Sequence, residues 1–210
     1  MSSMAGISDV VITTEHRHFA EFCDACRRYG YIGLYYGTPG VGKTLSARHY
    51  ANWNQVEAYS PYKCTSDAEL AAVIGSNTIF YTPKVVNSPR QIEQDIQGWR
   101  NRLRAIPLEA LYREEEPLLE LARQEDAANQ EAFFRQVIET LYDPPFERPA
   151  KPESKAFRIA QTYAQKRDET PEPTTLLMID EADRLKTVSL EQVRDISDQG
   201  QQFPEDDQPQ

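Results

Sequence analysis

Gly37-Thr38-Pro39-Gly40-Val41-Gly42-Lys43-Thr44 decides how this chain is read. Its residues fall in the G-x-x-x-x-G-K-[ST] order of a phosphate-binding loop, which needs a strand before it and a helix after it. Ile32, Leu34, Tyr35 and Tyr36 supply a short apolar run on the first side, and Tyr31 to Tyr36 is predicted as the first strand. Leu45, Ala47, Tyr50 and Ala51 mark the helix that follows. Glycines let backbone N–H groups turn inward around an anion, and the helix N-terminus adds its dipole. Lys43 is then placed to reach the β- and γ-phosphates, and the Thr44 hydroxyl to ligate Mg²⁺. The nucleotide-binding set is Gly37, Thr38, Pro39, Gly40, Val41, Gly42, Lys43, Thr44 and Leu45.

A second motif answers the first. Leu176-Leu177-Met178-Ile179-Asp180-Glu181 is an apolar strand ending in two carboxylates. Hydrolysis of a Mg²⁺-bound nucleotide needs an acidic group at the C-terminal end of a strand beside the phosphate loop. Asp180 fits that role as a metal ligand with Thr44. Glu181 is placed to orient or deprotonate the attacking water, which makes Glu181 and Lys43 the candidate catalytic residues. Ligands of open parallel sheets bind at the carboxyl ends of strands, so both motifs point to one crevice. The expected fold is α/β, a three-layer P-loop NTPase with a parallel sheet.

Outward from these motifs, Phe19, Phe22, Cys23, Cys26 and Tyr29 form one apolar stripe, predicting a helix over 14–29 that Gly30 ends. Asn77 to Thr82 is the second predicted strand, stopped by Pro83, and Pro89 opens another helix through about Leu103. From Pro107 to Leu141 the composition is helix-prone, with a break expected near Asn129. Asp143-Pro144-Pro145, Pro149 and Pro152 read as a turn or linker, and 154–166 as a helix. The expected organisation is 1–106 for the first half of the core and 107–173 for a helical insertion between the second strand and the strand ending at Asp180. The latter strand and its helix occupy 174–198, and a disordered acidic tail 199–210.

The chain has 210 residues, 40% hydrophobic and 27% charged, which suits a soluble globular protein. No stretch approaches the roughly 18 apolar residues of a membrane span. Met1-Ser2-Ser3-Met4 has neither the basic nor the apolar region of a secretory signal. Three cysteines form no disulfide framework, and the expected location is cytoplasmic. A net charge of −10 repels a phosphate backbone on average. Arg100, Arg102 and Arg104 are a basic cluster against that background, read as a solvated helix face. Cys23-x-x-Cys26 with His16 and His18 has the residue types of a zinc site, but both cysteines lie on the apolar stripe and are predicted to pack in the core. Trp53 and Trp99 likewise read as packing residues rather than base-stacking platforms.

The two motifs resemble the Walker A and Walker B pair of the AAA+ ATPases. Tyr31 to Arg48 and Asp180-Glu181-Ala182-Asp183-Arg184-Leu185, with the helix around Glu191 to Ile196, are similar to bacterial mobile-element ATPases. These are transposition proteins that select target DNA, including the phage-Mu-type B protein. The resemblance implies ATP and Mg²⁺ as ligands, ATP hydrolysis, a homo-oligomer, and double-stranded DNA and a transposase as partners, with no membrane. An AAA+ core normally continues to a sensor strand and an arginine finger. Only 29 residues follow Glu181, so a truncated member is expected, which leaves a nucleotide-binding interaction module with little hydrolysis as the alternative. Asp180-Glu181-Ala182-Asp183 also spells the DEAD-box motif, but a helicase needs a second RecA-like domain for which this chain has no room.

Overall fold

The computed structural model describes residues 12–60, 66–141 and 150–200. The chain divides into two compact units, one of Met1–Arg104 with Glu172–Gln210 and the other of Ala105–Pro171.

In the first unit, α1 (Thr14–Tyr29) is set by its ends. Thr13 Oγ1 accepts from the His16 N–H at the start, and Gly30 takes the left-handed conformation (φ 64°) at the stop. Its buried stripe carries Phe19 and Cys23. Then come α2 (Lys43–Tyr50), α3 (Trp53–Ala58), α4 (Asp67–Val73) and the strand β1 (Thr78–Tyr81). The strand β2 (Leu176–Ile179) pairs with β1 in parallel, in the register Thr78 with Leu176 through Tyr81 with Ile179. The ladder extends past both ends, with Thr175 N–H donating to Asn77 O (2.8 Å) and Asp180 N–H to Tyr81 O (2.9 Å). All four residues of β1 are buried, and those of β2 are half-buried. A short apolar strand buried on both faces is what a parallel sheet covered by helices requires. Trp53 closes the core against Phe80 and Trp99, with indole centroids 4.5 Å apart. A 3₁₀ turn (Ala182–Arg184) and α7 (Thr187–Gly200) follow β2.

The predicted first strand is corrected. Tyr31 to Tyr36 belongs to no sheet, and Tyr31, Ile32, Leu34 and Tyr36 are exposed. Its apolar composition has strand character, but a strand exists only through a neighbour's backbone, and none among the described residues pairs with Ile32 to Tyr36. The segment is held by side chains instead: the Tyr35 ring meets Phe19 edge-on at 5.0 Å. Two strands in parallel are therefore what the described residues contribute to the sheet.

The helix α5 (Pro89–Thr140) carries Pro107 and Pro117 inside it, and its part beyond Arg104 faces α6 (Lys155–Glu169) in the second unit. The helix break expected near Asn129 does not occur. Glu115, Ala122 and Tyr163 are buried there, and Glu115 pairs with Arg167. Asp126 accepts from Ser154 Oγ and from the N–H groups of Lys155 and Ala156 at the start of α6. The linker expected around Asp143-Pro144-Pro145 and Pro149 lies outside the described residues, as does the tail beyond Gly200. No helix among the described residues is long and apolar enough to cross a membrane.

Candidate functional site

Gly40 (φ 83°) and Gly42 (φ 84°) both sit in the left-handed region that a Cβ disfavours. Those two turns bring the chain round to Lys43, where Gly42 caps α2 without a side chain. The first N–H groups of α2 then point out of the helix with no side-chain cap, which is the usual geometry of an anion site. Lys43 Nζ reaches back over the loop and donates to the carbonyls of Gly37 (2.9 Å) and Thr38 (2.9 Å). Val41 and Leu45 are exposed at the flanks, and Pro39 is exposed at the turn.

Across the chain, Thr44 Oγ1 donates to Asp180 Oδ2 at 2.8 Å. Two residues 136 positions apart thus meet at the end of β2, because the ladder bond from Asp180 N–H to Tyr81 O fixes where that strand stops. Both donors are hard oxygens at the mouth of the loop, the type that Mg²⁺ takes from protein while keeping most of its waters. Among the described residues no cluster of three or more His, Cys, Asp or Glu could hold a metal alone. A hydroxyl, one carboxylate and nucleotide phosphates are the set that fits.

Glu181 is not drawn to that mouth. It adopts φ 51°, ψ 46°, unusual for a residue with a side chain, and pairs with Arg184 one turn on. Arg184 Nη1 donates to the carbonyl of Pro83 (3.3 Å), and Asn87 Nδ2 donates to the carbonyl of Arg184 (3.2 Å). Sequence reading missed this group. Its signal was Arg184 at i+3 from Glu181, a spacing that brings two side chains together only in a helical turn.

The cysteines pack as the stripe predicts. Cys23 Sγ lies 3.8 Å from Met178 Sδ on β2, and burial pushes its thiol up to about 12, so it stays protonated. His16 is buried beside His49 (ring centroids 5.0 Å) and His18 is exposed, so the four zinc-type residues do not converge. A second concavity flanks the end of β1, lined by Trp99, Arg48, Arg102 and Lys84. Its three cations are engaged within the protein: Arg48 by Glu57, Arg102 by the carbonyls of Glu57 and Tyr59, Lys84 by Asp95 (3.4 Å).

The family model described as "AAA domain" matches residues 26–206, which include the loop, β1, β2 and Asp180-Glu181. The chain belongs to the AAA domain family. Membership implies the P-loop NTPase fold, and the parallel pair β1–β2 beside the loop accords with it. A "Potential ATP-binding protein" of Staphylococcus aureus is 49% identical over 73 residues, covering 33% of this chain. The matched stretch spans 27% of that protein's length. No solved structure matches.

Proposed function

We propose that this AAA domain binds ATP with Mg²⁺ at Gly37–Thr44 and hydrolyses it. The observation that carries the reading is the Thr44–Asp180 hydrogen bond, which joins the two motifs at one point before any ligand is considered. The amides of Gly40 to Thr44 and the Lys43 ammonium hold the phosphates, while Thr44, Leu45 and the start of α2 face the nucleotide. Thr44 and Asp180 hold the metal, which when bound neutralises charge developing on the phosphates. Glu181 accepts a proton from the attacking water as its oxygen bonds to the γ-phosphorus. The bridging P–O bond breaks, and ADP and inorganic phosphate leave. The name of the Staphylococcus aureus relative supports the nucleotide.

The finer assignment is to a DNA-associated accessory ATPase of a mobile element, working in the cytoplasm as a nucleotide-dependent oligomer with duplex DNA and a transposase. It rests on the wording of residues 31–48 and 180–185. The second reading, a nucleotide-binding interaction module with little turnover, is favoured by the pairing of Glu181 with Arg184.

ATP binding and hydrolysis measured with and without duplex DNA separate these readings. Lys43→Ala is expected to abolish binding, and Glu181→Gln to bind with turnover reduced about 100-fold or more, the usual contribution of a positioned base. Normal turnover in Glu181→Gln removes it as the base. Stimulation by DNA supports the mobile-element assignment, and binding without turnover supports the interaction module.

A further inference from the structure

The concavity beside the end of β1 has a volume of about 510 Å³, within the range that encloses a small organic ligand. One wall is a face of α5, where Gln94, Gly98 and Arg102 follow at four-residue spacing with Asp95 and Trp99 beside them. Gly98 stands well inside that helix, where glycine costs stability relative to alanine. No positive φ requires it, and a Cβ built there would meet nothing within 4 Å. Neither backbone conformation nor packing among the described residues accounts for the missing side chain. What it leaves is open space next to the half-buried indole of Trp99.

The charges round this space do not cancel. Arg48 is paired with Glu57 and Lys84 with Asp95 (3.4 Å), and Asp95 also accepts from Gln91 Nε2 (2.8 Å) and the Tyr81 hydroxyl (3.2 Å). Among the described residues Arg102 has no carboxylate partner. It donates to the carbonyls of Glu57 (2.8 Å) and Tyr59, lies over the Trp99 ring at 5.0 Å, and keeps a buried Nε without a hydrogen-bond partner. Three cations set against two paired carboxylates leave the site one positive charge, in a molecule of net charge −10. We propose that the concavity binds a small aromatic carboxylate, its flat ring laid over Gly98 beside Trp99 and its charge beside Arg102. Bare glycine backbone admits a ring at close range, the indole supplies an aromatic contact, and a guanidinium is the usual partner of a carboxylate. The proposal does not rest on the ATP reading, since none of these residues belongs to the phosphate loop or to Asp180-Glu181.

The test uses the full chain and its indole signals. Only Trp53 and Trp99 contribute indole N–H peaks to a proton–nitrogen correlation spectrum, and Trp99→Phe assigns them. Naphthoate should shift the Trp99 signal more than that of buried Trp53, saturating with a Kd of about 1 mM or below, the strength open to so small a ligand. Because Arg102 also holds the carbonyls of Glu57 and Tyr59, charge is varied on the ligand rather than on the protein. Neutral naphthamide, the same ring without the charge, should bind at least about tenfold more weakly. Gly98→Leu puts a strong helix former in place of glycine and fills the open space. It should raise Tm by about 2–4 °C while weakening naphthoate binding at least about tenfold. Lys43→Ala should leave the Kd for naphthoate unchanged. A Trp99 signal that never moves, equal binding of the amide, parental affinity in Gly98→Leu, or loss of naphthoate binding in Lys43→Ala overturns the proposal. A parent chain that takes naphthoate but no Mg²⁺–ATPγS overturns the ATP reading and supports this one.

Discussion

A Cβ built on Gly33 would lie 2.4 Å from Phe22 Cζ and 2.7 Å from Cys26 Sγ. Gly33 sits between the helix stop at Gly30 and the phosphate loop, so it sets how closely that segment lies on α1. Gly40 and Gly42 are constrained differently, since a Cβ there would meet nothing within 4 Å and the demand comes from positive φ alone. Gly33→Ala should therefore cost about 1–3 kcal/mol, the usual scale of overpacking. The clash is with a half-buried ring, so Phe22→Ala in the same chain should recover part of the loss. Denaturant unfolding of both single variants and the double variant checks this. Additive losses would mean that Phe22 moves aside freely and that Gly33 has some other role. Glu181 also joins backbone to site, since its φ of 51° accompanies the ion pair with Arg184.

At the scale of elements, α6 owes its start to a residue on α5. Asp126 accepts from Ser154 Oγ (2.7 Å), Lys155 N–H (2.8 Å) and Ala156 N–H (3.0 Å), while Ser154 caps its own helix at Phe157 N–H (3.0 Å). The bond from Ala156, then those from Ser154 and Lys155, holds the Asp126 carboxyl below its ordinary value of 3.8. A carboxylate whose folded value is depressed contributes stability above its unfolded value and loses it as pH falls through the folded one. Asp126→Ala should lower Tm at neutral pH, and the gap from the parent should close below about pH 4 as the parent's carboxylate protonates. A gap independent of pH would show that the charge does not act at the cap. This contact also explains what sequence could and could not tell. Thr13, Gly30 and the stripe of Phe19 and Cys23 mark α1 locally, and the apolar runs before Pro83 and Asp180 mark β1 and β2. Asn129 reads locally as a break, and Pro107 as the start of a separate helical segment, where α5 is one helix. The partners that keep the helix going, such as Arg167 for Glu115 and the start of α6 for Asp126, lie about 30 to 50 residues away and leave no periodic trace. Within the site, the motif spacings placed Lys43, Thr44 and Asp180 together. The tie of Glu181 to Arg184 and Pro83 depends on a turn geometry that no motif encodes.

For the whole molecule, charge and apolar exposure act against each other. The net charge of −10 makes two copies repel, and any contact with duplex DNA has to be local and sensitive to salt. Yet Ile32 is 67% exposed, Leu34 75% and Tyr36 84%, along a stretch whose backbone makes no hydrogen bond to another described segment. An unpaired, apolar segment offers both backbone groups and apolar side chains to a second copy, and no lysine or proline interrupts Tyr31 to Tyr36. At low salt the net charge keeps copies apart. Near physiological ionic strength the screening length falls to about 8 Å, repulsion fades, and apolar contact is left to dominate. Self-association should therefore strengthen with salt, the reverse of what charge-driven assembly gives. Leu34→Lys with Ile32→Thr removes the two largest aliphatic contributions and sets a charge on the edge. It should weaken association at least about tenfold, or about 1.4 kcal/mol, while Lys43 and the loop still take up nucleotide. Sedimentation velocity over a range of concentrations and salt, beside a nucleotide-binding measurement, reads both quantities. A parent chain that stays monomeric at high salt would show that the exposed row is not adhesive. Association unchanged in the double variant would place the contact elsewhere on the molecule.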